Sequence, residues 1–223
     1  MNRRTALAFG PAAVLALAAP LLLTAPVVAD PPAEIDQSLL VPTTLDSSFA
    51  PFDCRMRTTG PVCTGERHVA TDWAPFDFSC GDVPVYARTV SDRYQTRYYD
   101  HDDLNYDRHF RLNDIDYLST MPTGPATATI SAITRFDEPF AVPGDDRTRT
   151  IITQGVPWDI RSSTGRAIFR AVGTLVEPPG EVGTFTGHTT VDGVTTTYDD
   201  APLTQVLPDD AFVDYVCRAV TGG

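Results

Sequence analysis

Four histidines and a dense set of carboxylates are the groups in this 223-residue chain best placed to move protons. Asp107 and His109 stand two residues apart in an alternating run, so a strand puts both on one face, where the carboxylate can orient the imidazole as a general base. Strands carry such pairs for polar cross-strand contacts far more often than for catalysis, and no nucleophile accompanies this one. His101 lies close by, whereas His68 and His188 are isolated in the sequence. The chain has no G-x-S-x-G elbow and no lysine for a Ser-Lys dyad or a Schiff base. G-x-x-x-x-G-K-[ST], G-x-G-x-x-G and H-E-x-x-H are absent as well. The acidic run at residues 98–105 offers hard oxygen ligands for Ca²⁺, but counted from Asp100 it has Asn105 where an EF-hand loop needs Gly and Arg111 where it needs Glu. It reads as a polar hairpin tip, and no metal or cofactor is expected.

Aromatic residues carry more of the functional argument. Tyr86, Tyr94, Tyr98, Tyr99, Tyr106, Phe110 and Tyr117 crowd into two or three neighbouring strands. Tyrosine joins an apolar body to a hydrogen-bonding tip, which suits a site for a small amphipathic ligand. Tyrosine is also a good strand former, and cross-strand aromatic pairs stabilise hairpins without any ligand. The candidate binding residues are Tyr94, Tyr98, Tyr106 and Phe110. Parity sets Tyr106 and Phe110 opposite Asp107, His109 and Arg111, so the apolar side is expected inside and His109 outside. The ligand-binding reading expects an empty interior cavity lined by Tyr94, Tyr98 and Phe110, a filled core would leave a surface-interaction role, and His109 with Asp107 in a concave pocket would put an enzyme first.

The elements that position these residues begin after an export signal. Asn2-Arg3-Arg4 forms a positive n-region, an apolar run follows, and Val27-Val28-Ala29 supplies the small residue that signal peptidase needs, so cleavage after Ala29 is expected. Pro11, Pro20 and Pro26 interrupt the run, which argues against an uncleaved anchor and so against a membrane span after processing. The general secretory route fits better than the twin-arginine one. A formal charge of −12 argues against nucleic acid and anionic lipid as partners. An even set of cysteines in an oxidising compartment predicts two disulfides, with Cys54 to Cys63 and Cys80 to Cys217 favoured among three possible pairings. No C-x-x-C spacing supports zinc.

Residues 30–51 read as an extended or disordered arm and 52–223 as one domain. Residues 85–99 and 105–111 alternate around a polar turn and predict a hairpin. Residues 126–136, 147–155, 166–176, 182–191 and 194–198 continue the pattern, with Asp192-Gly193 as a tight turn. The total is seven or eight strands. One helix follows Pro208-Asp209-Asp210, with Ala211, Phe212, Tyr215, Val216 and Ala219 on its apolar stripe. The fold class is all-β, an antiparallel barrel with a sandwich as the alternative, closed by a short C-terminal helix.

Cys63-Thr64-Gly65, then Phe-Ser-Cys-Gly-Asp-Val-Pro-Val at residues 78–85, then Arg97-Tyr98-Tyr99-Asp100, then a terminal cysteine make a recognisable series. On these short motifs the chain resembles the uncharacterised secreted β-barrel proteins of high-GC Gram-positive bacteria. The resemblance implies export and a β fold, and it carries no activity or site. The expected role is a secreted binding module for a small amphipathic ligand or a cell-envelope component. The alternative is a small barrel enzyme, cyclase- or hydrolase-like, with an Asp/His/Tyr site.

Overall fold

The described residues form ten antiparallel strands, most of them marked by alternating side chains, paired in a single curved sheet. They are β1 (Asp53–Arg57), β2 (Gly60–Ala70), β3 (Ala74–Cys80), β4 (Val83–Tyr99), β5 (Asn105–Ser119), β6 (Ala128–Asp137), β7 (Ile151–Ser162), β8 (Ala167–Glu177), β9 (Thr184–Val191) and β10 (Val194–Pro202). The computed structural model describes residues 35–42, 46–208 and 210–222. These residues belong to one compact unit. The export signal expected at residues 1–29 lies outside the described residues.

The strand order is β1-β2-β4-β5-β6-β7-β8-β9-β10, with β3 pairing β4 beside β2. No pairing joins β1 to β10 among the described residues, so the sheet is open rather than hydrogen-bonded into a cylinder. The first three strands are additional to those expected from the pattern. Gly60, Pro61, Gly65 and Pro75 fall inside them and break the alternation that marks the later strands. Both favoured disulfides are present, Cys54 to Cys63 across the β1–β2 pair and Cys80 to Cys217 across 137 residues.

One face of the sheet carries the core. Leu118, Ala128, Ile130, Ile160, Phe169, Ala171 and Phe185 pack there against Val216, Ala219 and Val220 of a C-terminal helix. Each fully buried Leu, Ile or Phe contributes about 1.5–3 kcal/mol. The chain reaches this helix through one short turn, α1 (Leu203–Val206); the helix itself is α2 (Ala211–Thr221). Tyr215 stacks on Phe169 with ring centres 4.7 Å apart, as the apolar stripe requires. The Asp210 carboxylate at the N-cap makes no side-chain bond to the helix, so packing and the Cys80 disulfide hold α2. Gly173 and Gly187, paired across β8 and β9, let Phe185 lie over the backbone. A Cβ on Gly173 would stand 2.3 Å from the Thr186 carbonyl oxygen and 3.0 Å from the Phe185 ring.

The other end of the same face is polar. Residues 35–42 and 46–52 seal it: Leu40 and Phe49 are buried, Val41 exchanges backbone hydrogen bonds with Asp103 and Asn105, and the Phe52 ring fills the space left by Gly65. Beneath them Arg108 is buried among Asn105, Glu138 and Asp146, with its guanidinium over the Phe140 ring at 4.9 Å. Arg149 reaches Glu138 and Asp146 at 3.6 Å each.

Candidate ligand-binding site

The strand register decides which side chains share a face. Glu66 of β2 pairs with Tyr94 of β4, Tyr94 with Arg111 of β5, Arg111 with Arg135 of β6, and Arg135 with Gln154 of β7. Directly paired residues point the same way, so these five form a row across five strands on the face turned away from the core. The next row, two residues along each strand, runs Thr64, Thr96, His109 and Asp137. The sheet curves here into an open groove of about 690 Å³ lined by both rows and by Tyr98. A neighbouring depression of about 520 Å³ shares Tyr94 and Arg111 and extends the groove along β4 and β5 towards Asp92 and Asn113.

The four candidate residues divide between the two faces. Tyr94, half exposed, and Tyr98 stand in the groove. Phe110 also borders it, but its ring stacks on Phe136 at 4.3 Å and meets Phe49 at 6.3 Å on the core side. The expectation of one interior cavity holding Tyr94, Tyr98 and Phe110 together is therefore corrected: the parity of β4 and β5 sends the tyrosines outward and Phe110 inward. Tyr106 departs from simple parity for another reason. Tyr98 pairs with Asp107 and Tyr99 with Asn105, so Tyr106 is the extra residue of a bulge. Its ring lies 6.3 Å from that of Tyr98 rather than on the core side.

His109 faces away from the core, as parity requires, yet that side is concave at this point. Its Nε2 lies 2.9 Å from Asp107 Oδ2 and 3.8 Å from Asp137 Oδ1, and its ring centre is 4.8 Å from that of Tyr98. Partial burial, reinforced by the charges of Asp107 and Asp137, pushes the Tyr98 hydroxyl above its usual range, which keeps it protonated and a hydrogen-bond donor. The cationic residues are held unequally. Arg135 donates from Nε and Nη2 to Gln154 Oε1 at 3.0 and 2.7 Å, whereas the Arg111 side chain has no hydrogen bond or ion pair among the described residues.

Other sequence candidates take structural roles. Asp100 accepts hydrogen bonds from the Asp102 and Leu104 amides, so its carboxylate is spent on closing the hairpin turn. Among the described residues no cluster of three or more metal-ligating side chains occurs. His68, isolated in sequence, contacts Asp92 directly across β2 and β4 at 2.5 Å. The row of Glu66, Arg111, Arg135 and Gln154 was not anticipated as a site. Arg111, Arg135 and Gln154 stood in alternating runs and Glu66 did not, and the assembly of the row depends on four registers. No family model matches the chain, and no curated protein or solved structure shows significant similarity to it.

Proposed function

We propose that this protein is an extracellular binding module that holds a small polar ligand in the open groove on the outer face of its sheet. The observation that carries this reading is the uncommitted state of the groove's central side chains, the half-exposed Tyr94 and the unpaired Arg111 beside it. An apolar platform next to a free charged fork is what orientation and affinity for an amphipathic ligand require. Export is supported by the n-region and cleavage site in the sequence and by the pairing of all four cysteines. No helix among the described residues is long and apolar enough to cross a membrane. The open curved sheet is read as a partly closed barrel, in keeping with the secreted β-barrel proteins that the motifs resemble.

Protein-observed NMR with a library of monosaccharides, amino acids and small carboxylic acids tests the reading. The expected result is that amide shifts cluster at Tyr94, Thr96, His109 and Arg111 and disappear in Tyr94→Ala. Shifts confined to the surface around α2, or none anywhere, overturn it.

The His109–Asp107 contact favours a second reading, general acid–base chemistry on the bound molecule, with Asp107 orienting the imidazole and Tyr98 as the neighbouring proton donor. His109→Gln separates the two readings. A binding module shows no turnover in either form, whereas an enzyme converts the ligand and loses that conversion about 10²–10⁴-fold in the variant.

A further inference from the structure

The row across the groove places two like charges side by side. Arg111 and Arg135 are directly paired on β5 and β6, and like charges in that position repel. In a chain with net charge −12, carboxylates are plentiful enough to neutralise such a pair, yet Arg135 is held by a neutral amide and Arg111 by nothing among the described residues. The cost falls away when an anion bridges the two guanidiniums. A guanidinium fork matches a carboxylate bidentately, which makes a carboxylate the natural counter-group.

The surroundings of the pair narrow the ligand further. Tyr94, next to Arg111 on the same row, offers a half-exposed ring on which the apolar face of a sugar ring can lie. Glu66 and Asp137 flank the cations and suit hydroxyl groups as donors to their oxygens. With neighbouring strands about 4.8 Å apart, the row from Glu66 to Gln154 extends roughly 19 Å, room for more than one ring. The adjoining depression at Tyr94 and Arg111 lengthens the available surface.

Resting on the groove reading above, we propose that the ligand is a carboxylated oligosaccharide, with the uronate carboxylate between Arg111 and Arg135 and a sugar ring stacked on Tyr94. The test is calorimetric titration of the full exported protein with trigalacturonate, its neutral methyl ester, a sulfated galactose oligosaccharide of similar length, and benzoate as an aromatic carboxylate. Trigalacturonate is expected to bind most tightly, and Arg111→Ala to weaken it about tenfold or more while leaving the ester within about twofold. Because Arg111 is exposed, circular dichroism of the variant should match the parent, and Arg111→Lys should recover part of the loss. Equal binding of acid and ester, both lost in Tyr94→Ala, keeps the groove and overturns the carboxylate. Tighter binding of the sulfated sugar or of benzoate overturns the uronate assignment. No binding of any of the four overturns the saccharide, while the NMR map of the groove decides the broader reading independently.

Discussion

Replacing Cys80 and Cys217 together by Ser is expected to lower the stability of the fold by about 5 kcal/mol, and replacing Cys54 and Cys63 by only about 2.5 kcal/mol. The difference follows from the loops they close, 137 residues against 9. A cross-link acts largely by removing conformations from the unfolded chain, and that effect grows with the logarithm of loop length. The long bridge also has a task in the folded state. The helix α2 makes no N-terminal capping bond, so its attachment rests on the apolar stripe and on Cys217. The short bridge joins β1 and β2 at residues already paired in register, so the hairpin retains part of its geometry without it. Urea unfolding of the two double variants measures both effects. Equal midpoints, or a larger loss on removing the short bridge, would show that loop closure does not dominate.

The disulfide prediction was available from cysteine count and spacing, and so was much of the sheet. Residues 85–99 and 105–111 alternate cleanly because β4 and β5 each have one covered and one wet face, and their pairing follows from the polar turn between them. Residues 53–80 hid their strands because Gly65 leaves its place to the Phe52 ring, and Pro61 and Pro75 sit where strand pattern is usually broken. The site was legible only in part. Alternation put Tyr94, Thr96 and Tyr98 on one face, and His109 and Arg111 on one face of the next strand. It did not reveal that the side away from the core is hollow, because concavity comes from sheet coiling and from what covers the opposite side. That cover, residues 35–42 and 46–52 at one end and α2 at the other, belongs to segments distant in sequence. The displacement of Tyr106 was equally invisible, since a single extra residue in a bulge reverses the parity that a strand pattern assumes.

The polar end of the core face leads to the second large effect. Arg108→Met is expected to destabilise the protein by about 3–5 kcal/mol, because removing one member of a buried ion network leaves its partners uncompensated. Arg108 donates to Asn105 Oδ1 at 2.9 Å and pairs with Glu138 and Asp146. Without it, Arg149 at 3.6 Å is the ion-pair partner left to buried Glu138 among the described residues. The cluster also ties residues 138–149 to the strands, since Arg108 and Glu138 exchange backbone hydrogen bonds of 3.3 and 2.7 Å. Changing both charges, as Arg108→Met with Glu138→Gln, should cost less than the sum of the single changes, and a double-mutant cycle in urea reads that coupling. Acidity supplies an independent check. Burial pushes the Glu138 carboxyl above its ordinary value despite Arg149 and Arg108, so the folded state holds this proton more tightly than the unfolded chain. The stabilisation linked to that proton is fully present below the unfolded value and is lost as pH rises from there through the higher folded value. Removing Arg108 takes away one of the charges that restrain the shift, so the Met variant should lose more stability over that rise than the parent does. Glu138→Gln, with no proton to release, should lack this component of the slope. Parallel stability–pH curves for the parent and both variants would mean that Glu138 is not coupled to Arg108.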